Sequence, residues 1–271
     1  MLIEVAGRRA YAYTGGKPFD AAKPTVAFVH GGQQDHSCWI LQSRYFAHHG
    51  WSVLALDLPG HGRSEGPALE SIEAMADWVT GTLDAVGASR AAMVGHSMGS
   101  LIALDAAGRF PDRVERIALL GSAFPMRVSD ALLAAARDDE PAAFEMINLW
   151  SHSGISHRPG NPGPGFSVFV ENLRLMERQA AGVLFKDFNA CNAYAAGVER
   201  ARAITCPTLF VVGASDMMTP PKAARALASE IAGAQIVEIP RCGHSMMAER
   251  PDAVLQALTA FCGPMHAAAP A

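Results

Sequence analysis

The most informative segment of this 271-residue chain reads Ala91-Ala-Met-Val-Gly95-His-Ser97-Met-Gly99. A short apolar run ends in a G-x-S-x-G pentapeptide, and the residues after it have the apolar spacing of a helix. The pattern predicts a strand, a tight turn with Ser97 at its tip, and a helix. Glycines are expected beside Ser97 because side chains would collide where the chain turns. The N–H groups at the start of the helix would face Ser97 and favour negative charge there.

Other short apolar runs recur along the chain, and several end in glycine. Leu2–Val5 and Ala10–Tyr13 are expected to form a leading hairpin, and the others are Thr25–Val29, Val53–Leu56, Ile117–Leu120, Thr208–Val212 and Gln235–Ile239. Runs that are apolar on both faces are typical of parallel strands covered by helices on both sides. Helical patterns lie between them, one capped by Ser71 and one beginning at Pro251 and ending before Gly263. The alternation predicts an α/β fold with a doubly wound, mostly parallel sheet.

One segment, residues 126–203, interrupts this alternation. It has no strand pattern, and it contains helical patterns at Ser129–Arg137, Pro141–Trp150, Ser167–Ala180 and Phe185–Arg202 around a glycine- and proline-rich loop. We therefore expect residues 1–125 and 204–265 to form the core and residues 126–203 to form a helical cap over the strand ends. The alternative, an ordinary helical layer of the core, stays open. The alanine-rich end, residues 266–271, is expected to be frayed.

Two later strand ends carry the groups that a serine nucleophile needs. A serine hydroxyl is a poor nucleophile at neutral pH, so it requires a base, and the base requires an orienting acid. Asp216 follows the run Thr208–Val212, and His244 follows the next run. The order serine, aspartate, histidine is the one that accompanies a G-x-S-x-G turn. We therefore predict a catalytic triad of Ser97, Asp216 and His244.

A developing oxyanion needs two N–H donors. Met98, directly after the nucleophile, is expected to supply one. The loop after Thr25–Val29 is expected to supply the other through its backbone, with Gly32 as the predicted donor and Gln33 as the alternative.

Taken together, these motifs resemble those of the α/β-hydrolase superfamily, in its cap-bearing serine esterase-like branch. The matching segments are His30-Gly31, Asp57-Leu-Pro-Gly-His-Gly-Arg-Ser64, Gly95-His-Ser-Met-Gly99, Gly213-Ala-Ser-Asp216 and Gly243-His244. They occur in order across residues 24–263. The resemblance implies an eight-stranded sheet, a helical cap and His30 as a brace of the oxyanion loop. It also implies that neither a metal nor an organic cofactor is needed.

The expected activity is a serine hydrolase that cleaves a small, partly apolar ester, lactone or thioester through an acyl-enzyme. The residues expected to contact the substrate are Gln33, Trp39, Met126, Trp150, Phe166 and Met217. Two alternatives stay open on the same fold. One is a hydrolase of carbon–carbon bonds, disfavoured because Ser245 follows His244 where those enzymes usually carry tryptophan. The other is a ligand receptor.

Composition narrows the classes of partner. The net charge of −4 disfavours a nucleic-acid partner, and no apolar run is long enough to cross a membrane. The start of the chain has no pattern of a signal peptide, and five scattered cysteines are an odd number. These features predict reduced thiols and a cytoplasmic location. The expected partner is a small acyl compound, and a homodimer is compatible with the sequence.

Overall fold

The computed structural model describes residues 1–154, 156 and 167–263. Its strands form a single sheet at or near the predicted positions. They are β1 (Leu2–Val5), β2 (Arg8–Tyr13), β3 (Thr25–Val29), β4 (Ser52–Asp57), β5 (Ala91–His96), β6 (Val114–Leu120), β7 (Thr208–Gly213) and β8 (Gln235–Ile239). The strand order is β1-β2-β4-β3-β5-β6-β7-β8. The pairs β1–β2 and β2–β4 are antiparallel, and the other pairs of this sheet are parallel. The expected eight-stranded, mostly parallel sheet is confirmed.

Helices cover both faces of the sheet. They are α1 (Ile40–His48), α2 (Ile72–Ala85), α3 (Met98–Arg109), α4 (Asp130–Asp138), α5 (Glu140–Ser151), α6 (Val168–Glu177), α7 (Val183–Ala193), α8 (Gly197–Ala203), α9 (Pro221–Ala228), α10 (Met246–Glu249) and α11 (Pro251–Cys262). Ser71 caps α2 by accepting from the N–H of Ala74, as predicted. Among the described residues, no helix combines the length and apolarity that a membrane span requires.

The core has two layers because alternate residues of a strand point to opposite faces. In β3, Ala27 and Val29 pack in the layer beneath α2 and α3, whereas Val26 and Phe28 pack in the layer beneath α1 and α11. This double coverage explains why the parallel strands are apolar on both faces.

Between β6 and β7 lie five helices, α4 to α8, which we call the insertion (residues 126–203). The predicted helix Phe185–Arg202 is two helices, because the chain leaves helical geometry at Tyr194, whose ψ is 118°. Part of the insertion has its own small core, including Leu132, Phe144 and Leu184. The end of α7 and α8 pack instead on the main core. That the insertion is a separate cap domain stays a prediction.

Candidate active site

Ser97 stands at the tip of a strained turn between β5 and α3. Its φ is 52° and its ψ is −119°, backbone angles that residues other than glycine rarely adopt. A Cβ at Gly95 would collide with the carbonyl of Gly99, and a Cβ at Gly99 would collide with the carbonyl of Val29. The glycines are therefore required as the sequence predicted. Within residues 91–107, Ser97 alone is not buried, so the turn presents this side chain outward.

Asp216 and His244 meet beyond the ends of β7 and β8. The Nδ1–H of His244 donates to Oδ2 of Asp216 over 2.8 Å. The same carboxylate accepts the backbone N–H groups of Met218 and Thr219 at 2.8 Å each, and the Thr219 hydroxyl at 2.7 Å. Burial opposes ionisation, but the interactions with His244 and Thr219 outweigh it and hold the pKa of Asp216 below its usual value.

The imidazole of His244 is positioned by close packing. Its ring lies 4.6 Å from that of His96, whose Nε2–H donates to the backbone carbonyl of His244 over 2.9 Å. Burial lowers the pKa of His96 to about 3, so this brace is neutral. On the other side is Gly121, where a Cβ would lie 2.9 Å from Cε1 of His244. The site therefore has no room for a side chain at position 121.

Ser97 and His244 line a single small cavity of about 30 Å³, together with Gly31 and Ser245. In the described part of the chain, no hydrogen bond joins the Ser97 hydroxyl to the His244 imidazole. Such contacts are often long without substrate and shorten in the complex. The structure thus brings the three predicted residues to one edge of the sheet.

The oxyanion loop is oriented by His30. The Nε2 of His30 accepts the N–H of Leu58 at 3.1 Å, so its Nδ1 carries the proton and donates to the Gly31 carbonyl over 2.8 Å. Burial lowers the pKa of His30 to about 4 and keeps this tautomer neutral. In a trans peptide the N–H points away from the carbonyl. The N–H of Gly32 therefore points away from His30, and Gly32 lines the cavities that contain Ser97.

The alternative donor, Gln33, is wrong for this role. Its N–H donates to Oδ2 of Asp187 over 2.8 Å and is already used. Its side chain amide donates to the carbonyl of Met176 and is 1% exposed, and Gln33 is absent from the lining of the cavities described here. Gln33 is therefore a structural residue beneath the loop, contrary to its expected contact with substrate. Met98, at the first position of α3, lines the larger cavity beside Ser97.

A larger cavity of about 180 Å³ extends from Ser97 under the insertion. Three of the predicted substrate contacts, Met126, Trp150 and Met217, line it beside Met98, a predicted oxyanion donor. Trp39 does not: it is fully buried and packs 5.2 Å from Phe28 in the core, so its expected position in the cleft is wrong. Its apolar ring completes the layer beneath α1. Phe166 lies outside the described residues.

Two buried carboxylates near the site were not found from the sequence. Asp187, on α7, pairs with Nε2 of His61 at 2.9 Å as well as with Gln33. Glu249, on α10, accepts the N–H of Gly243 and the hydroxyl groups of Ser153 and Ser156. Asp187 lies 126 and 154 residues from its partners, and no local pattern indicates such a pairing.

One cluster has the composition of a metal site. Asp35, His36 and Asp57 bring potential ligand atoms within 4.8 Å of one another. Both carboxylates have protein partners, because Arg178 forms three hydrogen bonds with Asp35, and the N–H of Arg63 donates to Asp57. These contacts indicate a structural network in which Asp57 holds the turn that follows it.

Comparison with known proteins agrees with this geometry. The chain is 30% identical over 247 residues to a pimeloyl-[acyl-carrier protein] methyl ester esterase of Neisseria meningitidis, with 83% of this chain and 88% of the relative covered. The enol-lactonase of Burkholderia xenovorans has a TM-score of 0.84 and 26% identity, over 97% of this chain and 99% of its own. An N-acyl homoserine lactone degrading enzyme has a TM-score of 0.81 and 26% identity, over 96% and 100%.

The family model described as the alpha/beta hydrolase family matches residues 26–257. This match covers nearly all of β3, the strands β4 to β8, the insertion and the residues around Ser97 and His244. The chain therefore belongs to the alpha/beta hydrolase family, and it is a serine hydrolase of that family.

Proposed function

We propose that this hydrolase cleaves a carboxylic ester or lactone through an acyl-enzyme on Ser97. The observation that carries the proposal is a serine at φ 52° before a helix, in one cavity with a histidine whose Nδ1 is held by a buried aspartate. Together these features supply a nucleophile, a base and an oriented tautomer.

His244 is the base because Asp216 accepts its Nδ1–H and leaves Nε2 free to take a proton. As the Ser97 oxygen attacks the carbonyl carbon, Nε2 receives the hydroxyl proton. The N–H groups of Gly32 and Met98 hold the resulting oxyanion. The imidazolium then protonates the leaving alcohol, and a water molecule repeats the cycle to release the acid.

The two cavities beside Ser97 suggest which part of the substrate lies where. The small cavity contains His244, which must protonate the leaving group, and holds a group about as large as one or two water molecules. The lining of the larger cavity includes the apolar side chains of Met126, Leu132 and Trp150 beside polar residues such as Arg127 and Ser129. A cavity of about 150 Å³ accommodates benzene, so the 180 Å³ here suits an acyl group of about six to eight carbons.

The names of similar proteins fit this division. One relative acts on a methyl ester, whose alcohol is small, and two similar structures are named for lactones, in which the alcohol is tethered to the acyl group. We therefore propose esters of a medium-length acyl group with a small alcohol, or lactones of similar size.

The experiment has two parts. A fluorophosphonate probe should label the wild-type protein at Ser97 and should not label Ser97→Ala. A panel of hexanoate esters from methyl to cyclohexyl, and of methyl esters from acetate to decanoate, should give the highest kcat/KM for methyl esters of medium acyl length. Absence of labelling, or esterase activity retained in Ser97→Ala, would contradict the proposal. Slight ester cleavage beside strong diketone cleavage would favour the carbon–carbon hydrolase instead.

A further inference from the structure

Asp187 is a buried carboxylate that the proposed mechanism does not use. It lies on α7 of the insertion, is fully buried, and directs Oδ2 at two groups of the sheet edge, Nε2 of His61 and the N–H of Gln33. Among the described residues its Oδ1 has no hydrogen-bond partner. Burying an oxygen without a hydrogen-bond partner destabilises the folded protein. The other contacts of Asp187 must therefore compensate for that loss.

The contact with Gln33 fixes the backbone beside the oxyanion donor. Gly32 lies between two peptide groups. The first is held through the Gly31 carbonyl by His30, and the second is held through the Gln33 N–H by Asp187. Gln33 has a φ of 55°, a left-handed conformation that a residue other than glycine rarely keeps without support. Asp187 therefore supplies the support on the second side of Gly32.

A carboxylate without a counter-charge would repel an oxyanion formed nearby. His61 supplies the counter-charge. The partners of the ring are the Pro59 carbonyl at 3.1 Å and Oδ2 of Asp187 at 2.9 Å. Both are acceptors, so the ring satisfies both only when each nitrogen carries a proton. Asp187 and protonated His61 then form a neutral pair, which orients the loop without adding net negative charge near Ser97.

We propose that Asp187 is a positioning residue of the oxyanion hole, so that the hole forms only when α7 of the insertion is seated on the sheet edge. This proposal rests on the proposed function, because it assumes that Gly32 stabilises an oxyanion formed at Ser97. It assigns to the insertion a part in the chemistry in addition to lining the substrate cavity.

The test uses a reaction that needs no knowledge of the natural substrate. The rate constant for labelling of Ser97 by a fluorophosphonate depends on the same N–H donors, because the phosphoryl oxygen occupies the oxyanion hole. Asp187→Ala should lower this rate constant, and kcat for a methyl ester, by about 10- to 100-fold, with KM changed less than about threefold.

Asp187→Asn should recover most of the lost rate. Its amide oxygen, in the place of Oδ2, can accept both the Gln33 N–H and the Nε2–H of neutral His61. The matched control is Tyr194→Phe, which removes a buried 3.0 Å hydrogen bond from the end of α7 to Asp105, far from the oxyanion loop. This control should lower Tm and leave the labelling rate unchanged.

A double variant separates an effect on the position of the loop from an effect on folding. The double variant His61→Phe, Asp187→Leu replaces the pair by apolar side chains, a change that buried ion pairs often tolerate. It should fold and label as slowly as Asp187→Ala. Labelling at the wild-type rate by either Asp187→Ala or the double variant would overturn the inference. The inference would also be overturned if Tyr194→Phe lowered the labelling rate as much, for the same fall in Tm, as Asp187→Ala does.

The two proposals fail in different ways. A wild-type protein that is not labelled at all contradicts the proposed function. A labelled wild-type protein whose Asp187 variants react equally fast contradicts only the positioning role.

Discussion

Buried polar groups lie in two regions: the edge of the sheet at which the parallel strands end (the edge), and the contact between this edge and the insertion (the junction). The two regions differ in how far apart in sequence the hydrogen-bonded residues lie. At the edge, Asp216 takes two of its three supporting hydrogen bonds from a residue three positions away. At the junction, Asp187 binds partners 126 and 154 residues distant, and Glu249 binds Ser153 and Ser156, 96 and 93 residues distant, in addition to the nearby Gly243. The Asp216 carboxylate is therefore held largely by its own turn, whereas the contacts at the junction form only when the insertion lies against the sheet edge.

The charge states also differ between the two regions. His30 and His96, at the edge, are buried with lowered pKa values and brace the backbone as neutral rings. His61, at the junction, is raised in pKa: burial opposes its charge, but Asp187 outweighs burial. Variants at the edge should therefore affect chemistry more than stability, and variants at the junction should affect both.

The largest expected effect is at the edge. Asp216→Asn would no longer stabilise the imidazolium or hold the reactive tautomer of His244, and kcat should fall by about 10⁴-fold. Steady-state kinetics on a methyl ester, beside the exposed variant Asp252→Asn as control, measures this. A loss below tenfold would mean that Asp216 does not orient the base.

Gly121→Ala tests how closely the edge is packed. The new methyl group would press on the His244 ring and displace it, so kcat should fall by about 100-fold. Gly233→Ala is the control, because Gly233 also has a positive φ but no atom within 4 Å of an added Cβ. Equal losses in both variants would assign the effect to backbone strain.

Glu249→Gln tests the junction on the side of His244. The carboxylate accepts hydrogen bonds from Gly243, Ser153 and Ser156, and an amide nitrogen would face some of these donors. We expect the free energy of unfolding to fall by about 2–3 kcal/mol, with a smaller loss of activity. Denaturant unfolding measures it, with the exposed Glu238→Gln as control. An unchanged free energy of unfolding would show that the Glu249 hydrogen bonds do not stabilise the folded protein.

The pH dependence of stability should have opposite signs in the two regions. His30 and His96 are neutral when folded, so stability falls as pH drops below about 6.5, by about 1.4 kcal/mol per unit for each histidine until its folded pKa is reached. His61 has a raised pKa in the folded protein, so its contribution is complete below about 6.5 and is lost as pH rises through that pKa.

Denaturant unfolding across pH 4 to 9 measures both effects. The groups that face His61 are Asp187, Asp57 and His30. Removing the charge of the first by Asp187→Asn should abolish the alkaline loss and leave the acid loss in place. An alkaline loss of the same size in this variant would mean that another group titrates.

Most of the sheet, and the meeting of Ser97, Asp216 and His244 at one edge of it, could be predicted because the signals are local. A buried strand needs a continuous apolar run, and a turn as tight as that at Ser97 needs Gly95 and Gly99 whatever lies elsewhere. The burial of Trp39 could not be predicted, because an aromatic residue after the oxyanion loop fits a cleft and a core equally well until the packing of α1 is known.

The sequence by itself determined the strands, the turn at Ser97, and the order in which nucleophile, acid and base reach the edge. Only the tertiary structure decided that the N–H of Gln33 is unavailable as an oxyanion donor, because a carboxylate from a distant helix accepts it. Apolar periodicity and turn chemistry act over a few residues, whereas the pairing of buried polar groups depends on which surfaces meet after the chain has folded.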